Sequence, residues 1–182
     1  MVWIDCEMTG LDPDRHGLIE IATIITDFDL QVIARGPDLA ITPTPSRLKT
    51  MDAWPRRAHT KSGLLERAKR EGVSTREAEL QTLRFIKKHC KKNTAPLCGN
   101  SVWQDKRFIT RYMPALHDYL HYRIVDVSSF KQLVSHWYPG TKAPAKQETH
   151  RALADIEESI AELRFYRTLL TNERRGPEAL RS

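Results

Sequence analysis

The chain has 182 residues, 40% of them hydrophobic, and 29 Lys and Arg stand against 23 Asp and Glu for a formal net charge of +6. That length supports one self-sufficient core, and the charge favours an anionic partner without identifying one. Eight glycines and ten prolines exclude a collagen-like repeat, and no apolar run approaches the roughly 20 residues that cross a bilayer. The three cysteines, Cys6, Cys90 and Cys98, lack the paired spacing of a disulfide scaffold or a structural zinc site. The opening residues have neither the basic nor the apolar stretch of a secretory signal, so a reducing, cytoplasmic setting is expected and a membrane partner is not.

In chain order, residues 2–8 alternate in size and polarity and read as a strand closed by the Thr9-Gly10 turn. Two more strands are expected over about 18–27 and 30–41, and the short link between them makes an antiparallel hairpin. Pro43, Pro45 and Pro55 interrupt the next stretch, where one helix is expected over about 62–70. Ser74-Thr75-Arg76-Glu77 is a capping-box pattern that opens a helix over about 75–91, with Leu80, Leu83, Ile86 and Cys90 on its buried side. A short buried strand at 95–99, a helix at 104–112 stopped by Pro114, and a strand at 122–127 follow. Ser128 or Ser129 can then cap a helix carrying Phe130, Leu133, Val134 and Trp137 at helical spacing. Residues 138–148 read as a loop. His150 opens the last helix, over about 151–169, with Leu153, Ile156, Ile160 and Leu163 on its core side. The expected organisation is a single domain over 1–170 with a polar tail at 171–182, in the α/β class: a mixed central sheet flanked by helices.

The first strand places Asp5 and Glu7 two residues apart, so both carboxylates leave one face. Their neighbours Trp3, Ile4, Cys6 and Met8 tie that pair to core scaffolding. Metal binding, the solvent face of an edge strand and a buried salt-bridge network all fit the pattern. Asp105 follows Gly99-Asn100-Ser101 near a helix start, where an acid can also serve the helix dipole. Asp155 lies five positions after His150. Four carboxylates and one histidine suit two hard divalent cations, with the histidine better placed as general base than as ligand because its ordinary pKa lies near neutrality.

Four blocks carry a resemblance. They are Trp3-Ile4-Asp5-Cys6-Glu7-Met8-Thr9-Gly10-Leu11, Leu97-Cys98-Gly99-Asn100-Ser101 with Asp105, His121-Tyr122-Arg123 with Asp126-Val127-Ser128, and His150-Arg151-Ala152-Leu153-Ala154-Asp155-Ile156. In order and separation they resemble the oligoribonucleases, small 3′-to-5′ exoribonucleases of the DEDD superfamily, in the branch whose last motif carries a histidine. The resemblance runs from residue 2 to about 169 and implies a ribonuclease H-like fold and hydrolysis of short oligoribonucleotides, especially dinucleotides, to nucleoside 5′-monophosphates. It implies that Asp5, Glu7, Asp105 and Asp155 bind two divalent cations, Mg²⁺ or Mn²⁺, and that His150 is the base. It further implies that Leu11 wedges between two bases, that Trp54 and His59 line the substrate site, and that Ser101, Arg123 and Ser128 hold a 5′ phosphate. Tyr122 would stack on a base across a homodimer interface. On pattern alone Trp54 reads as a packed surface aromatic, His59 as a polar loop residue and Tyr122 as half-buried packing, while Arg123 fits a phosphate ligand and a surface ion-pair former equally. Cys6 departs from the leucine common between the two acids and is expected to be a compact core residue facing away from them.

Overall fold

A computed structural model of the protein describes residues 1–144 and 151–172. The first strand, β1 (Val2–Met8), is the third of five in a sheet of order β3-β2-β1-β4-β5. It pairs antiparallel with β2 (Leu18–Thr26), which pairs antiparallel with β3 (Val32–Ala40). On its other side it runs parallel to β4 (Pro96–Gly99), and β4 is parallel to β5 (His121–Asp126). The sheet is therefore mixed, and the central place of β1 removes the edge-strand reading of Asp5 and Glu7. Between β2 and β3 the chain turns tightly, with Leu30 in the left-handed region (φ 64°) and Asp27 Oδ1 accepting the Gln31 N–H at 2.8 Å.

The alternation of β1 divides the interior. Val2, Ile4 and Cys6 face one core with Leu83, Ile86, Phe108 and Ile109, whereas Trp3 lies in a second core with Val134, Ile156, Ile160 and Tyr166. The first core is covered by α4 (Thr75–His89), α5 (Val102–Tyr112) and α6 (Pro114–His117). The second is covered by α7 (Val127–Trp137) and α8 (Ala152–Asn172). No helix among the described residues is long and apolar enough to cross a membrane.

Several local expectations are corrected. The proline-bearing stretch holds three helices, α1 (Pro45–Lys49), α2 (Ala53–Lys61) and α3 (Leu64–Glu71), where one was expected. Pro45 opens α1 behind the Thr44 cap, and Pro55 lies in the first turn of α2. A first turn has no use for the amide that proline lacks, so these prolines start helices instead of breaking them. Pro114 likewise opens α6 directly after α5.

Ser74 caps α4 as expected, accepting the Glu77 N–H at 3.1 Å. The buried face of α4 runs through Ala78, Glu79, Thr82, Leu83 and Ile86, so Leu80 falls outside it and is exposed. The residue capping α7 is Asp126, whose side chain accepts the Ser128 N–H, in place of Ser128 or Ser129. On α7 only Val127 and Val134 are buried, while Leu133 and Trp137 are exposed. The expected loop at 138–148 lies partly, and the tail mostly, outside the described residues.

Candidate active site

Three parallel strands, β1, β4 and β5, deliver their C-terminal ends to one side of the sheet, the usual place for a site in an open α/β sheet. Asp5 and Glu7 leave β1 on the face that α8 covers, and Asp155 sits one turn inside α8, its N–H bonded to Arg151 O at 3.0 Å. Asp5, Glu7 and Asp155 each offer a carboxylate oxygen, and these oxygens all lie within 4.8 Å of one another. Acidic groups so close repel, and burial weakens the solvent screening that would relieve them. Burial, then the charges of Asp105, Glu7, Asp155 and Glu20, hold Asp5 well above the usual carboxylate range. Glu7 is pushed up to about 8, chiefly by burial and next by Asp155, with Arg151 partly opposing.

Asp105 is buried in the first turn of α5, outside the three acids whose oxygens mutually approach within 4.8 Å, but its charge is the strongest of those acting on Asp5. Its Oδ1 accepts the Cys6 N–H at 2.9 Å, which ties α5 to the strand between the two acids. Burial raises it to about 8 even though the Cys6 and Asp105 backbone amides favour its charged form. Cys6 itself packs in the opposite core. Among the described residues the cluster offers oxygen donors alone and is costly when ionised, which suits a hard divalent cation over softer metals. His150 lies outside the described residues.

A cavity of about 270 Å³ adjoins the acids, lined by Glu7, Met8, Gly10, Leu11, Asp52, Trp54 and Pro55. Leu11 and Trp54 are 67% and 56% exposed at its rim. The Leu11 carbonyl is held from α5 by Gln104 Nε2 at 2.6 Å and by Arg107 Nη1 at 3.3 Å. Gly10 is required by close approach, since a Cβ there would sit 2.5 Å from Asp52 Oδ2 and from the His16 ring. His59 differs from the loop reading: it lies on α2, fully buried, and its Nε2–H donates to Met8 O at 2.9 Å while standing 3.9 Å from Glu7. It underlies the site more than it lines it.

A second cluster forms at the ends of β4 and β5. Ser101, in the left-handed region (φ 49°), and Ser128 bring their hydroxyl oxygens to 3.1 Å. The Ser101 N–H reaches Ser128 Oγ at 2.9 Å and Asp126 Oδ1 at 2.9 Å. Asn100 accepts the Ser128 hydroxyl at 3.1 Å and donates to Ser159 Oγ and Glu162 Oε2 on α8, each at 2.9 Å. Tyr122 is 71% exposed on β5, not half-buried, with the Arg123 guanidinium 5.3 Å from its ring centroid. The guanidinium thus lies over its neighbour's ring, and among the described residues it forms no ion pair.

Sequence reasoning missed Glu20 and Gln104, and it named Asn100 and Asp126 only as members of the motif blocks, without a role. Glu20 had a visible signal, one acid inside the apolar run Leu18-Ile19-Glu20-Ile21-Ala22, and a buried acid demands partners. The amides of Asn100 and Gln104 gave none, because their roles depend on which elements meet.

The RNase T exonuclease family model matches residues 2–163. Among curated proteins, the oligoribonuclease of Yersinia pseudotuberculosis is 52% identical over 168 residues, covering 92% of this chain and 93% of that protein. The oligoribonuclease of Pasteurella multocida is 53% identical over 173 residues, covering 94% of each. Solved structures of exonuclease I share the fold. The Escherichia coli enzyme in complex with a dT13 oligonucleotide has a TM-score of 0.74 at 16% identity, covering 95% of this chain and 42% of that one. The Methylocaldum szegediense enzyme has 0.61 at 18%, covering 97% and 41%. The chain thus spans about two fifths of the length of those structures, and at such identity the likeness is one of fold. Identity of 52–53% over nearly the full length of both partners is a statement about descent, and the chain belongs to the oligoribonuclease family of DEDD-superfamily exonucleases.

Proposed function

We propose that this exonuclease hydrolyses short, single-stranded oligoribonucleotides from the 3′ end, with 5′-phosphorylated dinucleotides as the favoured substrate and nucleoside 5′-monophosphates as product. The observation that carries the reading is the carboxylate cluster at the end of a short cavity rimmed by two exposed apolar side chains. Asp5, Glu7, Asp105 and Asp155 would hold two divalent cations, Mg²⁺ or Mn²⁺, which supply an activated water and offset charge on the departing 3′ oxygen. His150 accepts the proton of the attacking water, the role its place in the family motif gives it. Leu11 wedges between the two bases and Trp54 lines the cavity beside them, so base identity matters little because every base presents a π face. His59 backs Glu7 from beneath.

Ser101, Ser128 and Arg123 bind the terminal 5′ phosphate, the guanidinium in the bidentate manner that suits phosphate. Such a cap sits a fixed distance from the scissile bond, and that sets length preference. A homodimer completes the site, with Tyr122 and Arg123 serving the neighbouring protomer. What supports this is the place of β5 at the edge of the sheet among the described residues, together with the exposed aromatics Tyr122, Trp103 and Trp137.

The test is a four-way comparison of wild type and Arg123→Ala on a diribonucleotide with and without its 5′ phosphate, under single-turnover conditions. Wild type favours the phosphorylated form, and the variant loses about 10- to 150-fold on it, the worth of a charge-assisted contact. The hydroxylated form should be nearly unaffected. Equal losses on both substrates remove the phosphate cap from the reading.

A further inference from the structure

Glu20 is the third residue of β2, in register with Glu7 of β1, and its side chain is wholly removed from solvent. Both oxygens are committed. Oε1 accepts Arg67 Nη1 of α3 at 2.7 Å and Arg151 Nε at 2.9 Å, with Arg151 Nη2 also at 2.9 Å. Oε2 accepts the N–H of Ala152, the first residue of α8, at 2.8 Å. Arg67 goes on to Asp38 Oδ1 at 2.9 Å, the Asp38 carbonyl at 2.8 Å and Glu71 at 2.8 Å.

A carboxylate already held by two guanidiniums and an amide is charge-compensated without a cation. Two guanidiniums and one helix-start amide surround Glu20, so it belongs to the framework and not to the three-acid cluster. Two of its contacts, Arg151 and Ala152, nevertheless lead to that cluster, and the third leads to the α2–α3 arm. Ala152 stands three residues before Asp155, about 4.5 Å along a helix axis. The amide it satisfies is one of those a helix start leaves unpaired, where negative charge is favoured. The Arg151 carbonyl accepts the Asp155 N–H, so the residue that grips Glu20 by its side chain also closes the turn bearing Asp155. Arg67, on the opposite flank, belongs to the α2–α3 arm whose other helix carries Trp54 and His59.

We propose that Glu20 is a positioning residue, a buried carboxylate that sets the first turn of α8 through Arg151 and Ala152, and the α2–α3 arm through Arg67, against the strand bearing Asp5 and Glu7. The proposal rests on the metal-dependent site described under the proposed function. It divides labour between the two arginines. Arg151 fixes the distance from Asp155 to the β1 acids and so governs cation affinity and kcat. Arg67 fixes the cavity wall that carries Trp54 and so governs KM.

The experiment uses metal-free full-length protein titrated with Mn²⁺ alone by calorimetry, alongside steady-state kinetics on the 5′-phosphorylated diribonucleotide. Arg151→Met should weaken Mn²⁺ binding about 10-fold or more, the usual effect of losing a residue that orients a ligand, and lower kcat with KM near wild type. Arg67→Met should raise KM and leave Mn²⁺ affinity near wild type. Glu20→Gln should do both, and amide exchange in the metal-free protein should quicken at 152–156 but not at 160–169. Should Glu20→Gln fail to fold, the two arginine variants decide alone. Wild-type Mn²⁺ affinity in Arg151→Met overturns the proposal, as does loss of the same kinetic parameter in both arginine variants or exchange that quickens evenly along α8. Asp155→Asn in the same titration separates the two levels. Unchanged Mn²⁺ binding there defeats the metal site itself, whereas weakened binding there beside a wild-type Arg151→Met defeats only the positioning role.

Discussion

Asp5, Glu7 and Asp155 repel one another when ionised, and in the absence of a cation their closeness works against the fold. Asp5→Asn keeps the shape and removes one charge. It should therefore raise the melting temperature of the metal-free protein, by about 2–4 °C per kcal/mol of relieved repulsion, while abolishing both most of the activity and the stabilisation given by Mn²⁺. Differential scanning fluorimetry in chelator and in Mn²⁺ reads both effects, and a lower melting temperature in chelator would contradict this reading. The same acids set a pH dependence. Glu7 rises from 4.5 to about 8 and Asp105 from 3.8 to about 8, so between those values the folded protein holds protons that the unfolded chain has released. Their contribution is full below about pH 4 and is lost as pH rises through about 8. Metal-free wild type should lose more melting temperature between pH 5.5 and 8.5 than Glu7→Gln does. Equal slopes would mean that Glu7 is ionised in the fold throughout. His150→Ala should lower turnover by roughly 10²- to 10⁴-fold without weakening Mn²⁺ binding, and a pH–rate profile unchanged in shape would assign the proton to another group.

At the scale of elements, short-range chemistry and long-range packing separate cleanly. The Ser74 cap is local: a hydroxyl three residues before an amide it can reach. Ser74→Ala should cost about 1 kcal/mol, about 2–4 °C in melting temperature for a chain of this size, with kcat and KM unchanged because α4 packs on the core away from the acids. An unchanged melting temperature would show that the cap contributes nothing. The three helices of the proline-bearing stretch were hidden by reading proline as a breaker, when its place in a first turn makes it a starter. Leu80 was assigned to the buried face of α4 by hydrophobicity. Its neighbours Glu79 and Thr82 took that face, and Glu79 is retained there because its Oε1 accepts the Ala115 and Leu116 amides of α6, at 2.7 and 3.2 Å.

For the whole molecule, exposed apolar side chains stand at both ends of the sheet, Phe28, Val32 and Ile33 towards the β3 edge and a second group towards β5. Tyr122 on β5, with Leu133 and Trp137 on α7, is exposed where helical and strand patterns alone expected packing. A two-fold contact over this region predicts a dimer by sedimentation equilibrium, and Trp137→Asp should shift the distribution towards monomer while leaving the fold intact by circular dichroism. Turnover on the 5′-phosphorylated dinucleotide should fall with the dimer fraction. A fully active monomer would end the idea that one protomer's Tyr122 serves its neighbour.

The sequence by itself determined whatever repeats within a few residues. The period of a strand put Asp5 and Glu7 on one face and Cys6 on the other, helical spacing found the core side of α8, and turn residues closed the hairpin. With the resemblance, the order of four motif blocks singled out the four acids. Tertiary structure alone decided how distant residues meet. Only the strand order makes β1 central, and only packing brings Asp155 to the two β1 acids while leaving Asp105 tied to the Cys6 amide. Glu20 shows the boundary most sharply. An acid within an apolar strand announced that it needed partners, but the partners stand 47 and 131 residues further on. No local pattern records them, because a buried charge is satisfied by proximity in space, and the chain encodes that proximity only through the whole set of contacts that fold it.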